Sequence, residues 1–144
     1  MDEPAPQLIE GVSATATPTL GVGAIVVRDG ALLMVRRAQE PARGLWSLPG
    51  GKVERAEYLS DAVRREVREE TGLEVVVGEL AGFFEVIGEE SHYVIMDFLA
   101  TYEGEAEPVA GDDADQVRWV PLSEVASLEC TPRFVELLTA WGVL

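Results

Sequence analysis

Hydrophobic and polar positions along the chain predict β-strands interrupted by two helices. GVGAIVV at 21–27 carries no charge and predicts a buried strand, and a turn at 28–30 leads into a returning strand at 31–35. LWSLPGG at 45–51 predicts a short extended segment that ends in a Gly-Gly turn. The first third of the chain is therefore expected to form part of a sheet.

The second half of the chain predicts further strands around an acidic loop. Residues 73–84 are rich in valine and are expected to form a strand, followed by a hairpin around 88–91 whose second arm is 93–99. The loop at 103–115 is acidic and contains glycine and proline, and a short strand is expected at 117–120.

Two segments predict helices. The first runs over residues 58–71, with Gly72 placed as its C-terminal cap. The second begins at Thr131-Pro132, with proline in the first helical position, and ends at Gly142. Strands with two interspersed helices indicate a mixed α/β or α+β fold. One domain is expected over residues 19–144, after a loose arm rich in Ala, Pro and Thr at 1–18.

The first predicted helix carries carboxylates where apolar residues are expected. A helix turns about 100° per residue, so Arg64 and Arg68 project to the solvent side. Glu66, Glu69 and Glu70 project instead onto the apolar side, where crowded carboxylates are costly unless a cation lies among them. Their oxygens suit Mg²⁺ or Mn²⁺. The alternative is that i,i+4 ion pairs merely stabilise the helix, but such pairs need no glutamate on the apolar stripe.

Charge and composition narrow the classes of partner. The 144 residues include 26 acidic and 11 basic side chains, a net charge of −15 that repels nucleic acids and anionic membranes. Eight of the basic residues lie between positions 36 and 68, so an anionic ligand is expected near that segment.

The remaining features indicate a cytoplasmic protein. The single cysteine, Cys130, excludes an internal disulfide and a thiolate metal cluster. The first twenty residues lack the basic start and apolar run of a signal peptide. No apolar stretch approaches the length that spans a membrane.

A longer pattern surrounds the glutamates. Gly51, five residues, Glu57, seven residues and then REVREETGL at 65–73 resemble an intact Nudix box of 23 residues, with aliphatic residues at Val67 and Leu73. The flanking segments LLMVRR, LWSLPGG and VRWVPLSEV are also similar to that family. The resemblance covers most of the chain from about Gly21 onward.

The resemblance implies a mixed β-sheet sandwiched between α-helices and Mg²⁺-dependent hydrolysis of a nucleoside diphosphate linked to another group. It implies that Glu66, Glu69 and Glu70 are metal ligands, that Glu66 or Glu69 also orients or deprotonates the attacking water, and that the Gly50 carbonyl is a further ligand. It also implies that Arg65 positions the carboxylates.

Two groups of residues are candidates around this implied centre. Basic side chains could bind the remaining phosphate oxygens, although each could instead be an ordinary surface charge; they are Arg36, Arg37, Arg43 and Lys52. Some family members use one more acidic residue from outside the box as a ligand or base. The acidic loop offers Glu105, Asp112, Asp113 and Asp115 for that role.

The substrate is less well defined by the sequence. The overall resemblance to bacterial proteins labelled ADP-ribose pyrophosphatase-like implies ADP-ribose or a similar ADP-X as substrate. The competing interpretations are a (d)NTP pyrophosphohydrolase that cleans the nucleotide pool and a non-catalytic domain that senses ADP-ribose. Family members of this size are often homodimers, so the resemblance also leaves a homodimer open.

Overall fold

The computed structural model describes residues 17–144, so the predicted arm lies almost entirely outside the described residues. Within this range the helices are α1 (Leu59–Thr71), α2 (Phe134–Ala140) and a 3₁₀ helix (Leu122–Ser127), none of which is long and apolar enough to cross a membrane. The strands are β1 (Thr19–Arg28), β2 (Ala31–Arg37), β3 (Trp46–Ser47), β4 (Gly50–Lys52), β5 (Val76–Ile87), β6 (His92–Thr101) and β7 (Ala114–Pro121).

Strand β1 connects the two halves of a mixed sheet. It runs parallel to β6 over Thr19 to Val26, and it pairs antiparallel with β4 near its start and with β2 at its end. The strand order is β3-β2-β1-β6-β5, and β7 lies beside β2. Strand β4, which leads into α1, is thereby fixed against the middle of the sheet.

The two faces of β1 contribute to two separate cores. Val22, Ala24 and Val26 pack with the apolar side of α1, which includes Val63 and Val67. The side chain between them, Ile25, packs on the other face with α2 and the 3₁₀ helix. Because residues alternate between the faces of a strand, one strand serves both cores. The predicted mixed sheet between helices is confirmed.

The end of α1 is tied to the acidic loop. Gly72 adopts φ 75° and ψ 0°, and its N–H donates to the carbonyl of Arg68, which confirms the predicted cap. The N–H groups of Val109 and Gly111 donate to the carbonyls of Thr71 and Glu70 at 2.9 and 3.0 Å. These bonds satisfy helix carbonyls that would otherwise lack partners and hold the loop beside the box glutamates.

Three of the differences between predicted and observed boundaries have a clear physical reason. The Gly-Gly segment is strand β4 rather than a turn, because Gly50 approaches the backbone of Val22 so closely that no Cβ fits. The last helix begins at Phe134, since Arg133 adopts a left-handed conformation with φ 67°. The strand predicted at 73–84 begins at Val76 and continues to Ile87, because its pairing with β6 extends to the hairpin turn.

Candidate active site

Arg65 joins the residues of the candidate site. Its Nε and Nη2 donate to the Glu57 carboxylate at 2.8 and 3.0 Å, and its Nη1 donates to Glu66 at 2.7 Å. A longer contact of 3.3 Å reaches Glu69, and Nη2 also donates to the carbonyl of Lys52 at 3.0 Å. The guanidinium therefore fixes two glutamates of the box relative to β4 and leaves Glu69 more weakly held.

Glu57 is the anchor of Arg65. The hydrogen bond from Arg65 lowers the pKa of Glu57 from 4.5 to about 2, with help from the N–H of Glu54. The same pairing raises the pKa of Arg65. Glu57 and Arg65 are therefore both charged throughout the neutral range, and the guanidinium is a fixed positive charge beside Glu66.

Glu70 is the most buried of the box glutamates. Only 7% of the residue is exposed, and its Oε1 accepts a hydrogen bond from the Gly50 N–H at 2.7 Å. Burial raises its pKa to about 8; the Gly50 N–H and the charge of Arg37 oppose this rise, whereas Glu66 and Asp113 add to it. Glu70 thus lies in a region with too little positive charge to keep it ionised.

Glu66 lies against the backbone of β4, whereas Glu69 is open to solvent. The Glu66 carboxylate occupies the space that a Cβ on Gly51 would fill, and 14% of its side chain is exposed. Its pKa is raised by burial, against the effect of Arg65, and Glu69 and Asp113 raise it further. The side chain of Glu69 is 47% exposed. The prediction that all three glutamates lie on the apolar side is therefore wrong for Glu69, which sits at the edge of the stripe.

The donor set is chemically suited to a hard divalent cation. In the part of the chain that the structure describes, no three acidic, histidine or cysteine side chains are already gathered as ligands of one ion. Glu66 and Glu70 nevertheless each have a raised pKa to which neighbouring carboxylates contribute, and a divalent cation would lower both. Glu69 is linked to Glu66 through Arg65, which contacts both carboxylates. These carboxylate oxygens fit Mg²⁺ or Mn²⁺.

The four basic residues predicted to bind phosphate differ in their contacts. The charge of Arg37 acts on Glu70, and its Nε donates to the Pro41 carbonyl at 2.8 Å. Lys52 follows Gly51 in β4 and is exposed. Arg36 pairs instead with Asp115 at 2.6 Å, and Arg43 is exposed in the loop before β3. Phosphate binding by these four residues stays a prediction, for which Arg37 and Lys52 are the better placed.

The four acidic residues predicted as a further ligand or base also differ in their position relative to the box glutamates. Asp113 acts electrostatically on both Glu66 and Glu70, and its carbonyl accepts the Ala38 N–H at 3.0 Å. Asp112 is exposed beside it, and Asp115 is paired with Arg36. The structure does not bring Glu105 to the glutamates, because that part of the loop lies beside Arg28 and Trp119 at the far end of β1.

Sequence reasoning missed Asp97, a carboxyl group buried in β6. Its residue is 5% exposed and burial raises its pKa to about 7. The available signal was one acidic residue within the apolar run YVIMDFLA.

Comparison with known proteins identifies a family and several relatives. The protein-family model described as NUDIX domain matches residues 17–140 of this chain. An ADP-ribose pyrophosphatase from Methanocaldococcus jannaschii is 34% identical over 113 residues, which are 77% of this chain and 66%, just under two thirds, of that protein. The CTP pyrophosphohydrolase of Escherichia coli is 34% identical over 129 residues, covering 85% of this chain and 90% of that protein.

A solved structure shows the same architecture. The crystal structure of a MutT NUDIX hydrolase from Burkholderia pseudomallei superposes with a TM-score of 0.76 at 31% sequence identity. The match covers 85% of this chain and 97% of that one. The similarity thus includes both the sheet and the helices that pack on it.

Proposed function

The chain belongs to the Nudix hydrolase family, and from that premise we propose that it hydrolyses the pyrophosphate bond of ADP-ribose or a similar ADP-X. The observation that carries the proposal is the pair formed by the half-buried Glu66 and the buried Glu70, held by Arg65 and by the Gly50 N–H. The relative named ADP-ribose pyrophosphatase supports the choice of substrate.

The side chains of the box leave oxygen atoms available for a metal ion. Arg65 contacts Oε1 of Glu66, and the Gly50 N–H contacts Oε1 of Glu70, so each carboxylate keeps its Oε2 for another ligand. We assign Mg²⁺ or Mn²⁺ to these two residues, Glu69 and the Gly50 carbonyl. Such an ion, when bound, offsets the negative charge of the pyrophosphate and lowers the pKa of a bound water.

The remaining groups would act on water and phosphate. Hydrolysis forms a bond from the oxygen of water to one phosphorus and breaks the bridging P–O bond, which yields AMP and ribose phosphate from ADP-ribose. Glu69 is exposed and weakly held by Arg65, so it suits the orientation or deprotonation of that water better than Glu66 does. Arg37 and Lys52 would bind phosphate oxygens on the same side.

A substrate panel tests this proposal. Purified protein with Mg²⁺ should release AMP from ADP-ribose or another ADP-X, and Glu69→Gln should lower the rate about a thousandfold. Glu74→Gln is the matched control, because Glu74 is an exposed glutamate outside the box whose carboxylate lies 3.5 Å from Arg68. Circular dichroism should show that both variants keep the native fold. Equal rates for both variants would contradict the assigned role of Glu69.

A second function has independent support. The relative named CTP pyrophosphohydrolase aligns over 90% of its length, which favours a nucleoside triphosphate as substrate. Release of pyrophosphate from (d)NTPs without hydrolysis of any ADP-X would establish that alternative. Tight binding of ADP-ribose with no turnover across the panel would instead indicate a sensor. Self-association into a homodimer is a separate prediction, which sedimentation velocity measures.

A further inference from the structure

The loop segment 109–111 is hydrogen-bonded to the C-terminal end of α1. The N–H of Val109 donates to the Thr71 carbonyl at 2.9 Å, and the N–H of Gly111 donates to the Glu70 carbonyl at 3.0 Å. The last carbonyl groups of a helix have no partner within the helix, so the loop supplies partners for two of them. One of these bonds ends on a glutamate of the box.

Gly111 packs against the backbone of α1 so closely that no side chain fits there. A Cβ at this position would overlap the carbonyl oxygen of Glu69 and lie 3.5 Å from the Cα of Glu70. Gly111 lacks the positive φ that Gly72 has, so its backbone conformation does not require glycine. Both atoms belong to the backbone of a helix whose apolar side is buried in the core, so the helix cannot move aside. The close approach of loop and helix is therefore the reason for a glycine at 111.

Backbone contacts, rather than side-chain packing, hold the end of this loop. The side chains of Asp112 and Asp113 are exposed. Gly111 is bonded to α1 on one side of them, and Ala114 is fixed on the other side by its pairing with Arg37 of β2. Any displacement of Gly111 from α1 must therefore be taken up by the two acidic residues between these fixed points.

Asp113 is the one of these two residues that acts on the box. Its charge contributes to the raised pKa of both Glu66 and Glu70, so its carboxylate lies near both. Its φ is 62°, and its carbonyl accepts the Ala38 N–H at 3.0 Å. A carboxylate in this place would increase the charge of the ligand set around a divalent cation, and charge count is one of the factors that set cation affinity.

We propose that Gly111 is a positioning residue of the metal site, whose close contact with the end of α1 places Asp113 as a fourth carboxylate beside the box glutamates. The inference rests on the proposed function, in which these glutamates hold Mg²⁺ or Mn²⁺. A larger residue at 111 would push the segment 111–113 away from α1. The glutamates would keep their positions, because α1 is packed in the core, but the cation would lose the nearby charge of Asp113.

A double-mutant cycle tests this role through the affinity for Mn²⁺, which the electron paramagnetic resonance signal of the free ion measures without any substrate. Gly111→Ala and Asp113→Asn should each weaken Mn²⁺ binding about five- to tenfold. The double variant should bind Mn²⁺ no more weakly than Asp113→Asn alone, because Gly111 acts through Asp113. Losses that add in the double variant would overturn the proposal, as would native affinity in Gly111→Ala.

Gly30→Ala is the matched control for a loss of stability. Gly30 has a φ of 75° in the turn between β1 and β2, and a Cβ there would meet open space. The substitution should lower the melting temperature by about 3 to 6 °C, because alanine is strained at this φ, and should leave the Mn²⁺ affinity native. A loss of Mn²⁺ affinity as large as that of Gly111→Ala would show that both substitutions act through stability, which overturns the proposal.

Val109→Pro loosens the same segment without adding an atom at Gly111. It removes the N–H that donates to Thr71, so it should weaken Mn²⁺ binding about two- to fivefold, and only while Asp113 is present. An equal loss in the Asp113→Asn background would overturn the proposal. A native protein that hydrolyses no ADP-X but shows the expected cycle would contradict the proposed function and support the role of Gly111. A native protein that binds no Mn²⁺ would overturn both that role and the metal assignment.

Discussion

Glu70 and Asp97 are two buried carboxyl groups on opposite faces of one sheet. Burial raises the pKa of both, to about 8 for Glu70 and about 7 for Asp97. Glu70 has the Gly50 N–H at 2.7 Å and the charge of Arg37 to oppose that rise, and other carboxylates surround it. Asp97 has no such neighbour in the described part of the chain.

The difference shows that a raised pKa alone does not specify a function. Around α1 the carboxylates are several and lie close to a fixed guanidinium, an arrangement that a divalent cation would complete. On the opposite face a single carboxyl lies between Gly23 and Gly82, where burial favours its neutral form. The cluster on α1 is suited to phosphate chemistry, whereas burial alone accounts for the raised pKa of Asp97.

The largest effect is expected from Glu70→Gln. The substitution keeps the size of the side chain and an oxygen for the Gly50 N–H, but it removes the negative charge that a cation needs. The rate of AMP release should fall about a thousandfold, while the melting temperature of the metal-free protein stays the same, because the neutral Gln replaces a carboxyl that burial already favours in its neutral form. Native-like activity would show that Glu70 does not serve the metal.

Arg65→Ala should produce the next largest effect, on stability. Glu57 and Glu66 would lose their partner, and a half-buried Glu66 would remain uncompensated. The free energy of unfolding should drop by about 2 kcal/mol, less than for a fully buried pair because the side chains are partly exposed. Urea denaturation measures this drop. Arg65→Lys should lower the free energy of unfolding by less, since lysine keeps the positive charge but cannot form the paired hydrogen bonds of a guanidinium. A loss below the error of the measurement would argue against Arg65 as the anchor.

Asp97→Asn should reveal the burial of the Asp97 carboxyl through the pH dependence of stability. The pKa of Asp97 is raised from 3.8 to about 7 in the folded protein, so folding is favoured while the group is protonated in both states. That stability is present below about pH 4 and is lost as pH rises toward 7. The stability gained by Asp97→Asn should therefore be greater at pH 8 than at pH 5, by roughly 1 to 3 kcal/mol. An equal gain at both pH values would show that Asp97 is not buried as described.

The smallest effect is expected from Arg64→Ala. Arg64 pairs with Asp61 at 2.7 Å, but the two side chains are 54% and 47% exposed. Such pairs contribute less than about 0.5 kcal/mol, so thermal stability and hydrolysis should both remain near native. A large loss would mean that the solvent side of α1 takes part in the site.

Local patterns in the sequence predicted much of α1. The turn of the helix separated Arg64 and Arg68 from Glu66 and Glu70, and Gly72 marked its end, because these relations lie within a few residues. Contacts between distant segments could not be read in this way. Gly50 and Gly51 form strand β4, and not the predicted turn, because they pair with β1. The position of Asp97 depends in the same way on Gly23 and Gly82 of the neighbouring strands.

Binding of Mn²⁺, followed by the electron paramagnetic resonance signal of the free ion, examines the acidic site without any assumption about the substrate. The native protein and the control Glu74→Gln should bind Mn²⁺ with the same affinity. Glu69→Gln and Glu70→Gln should each bind at least about tenfold more weakly, because each loses a charged oxygen ligand. Equal Mn²⁺ affinity in all four proteins would contradict the assignment of the box glutamates as a metal site.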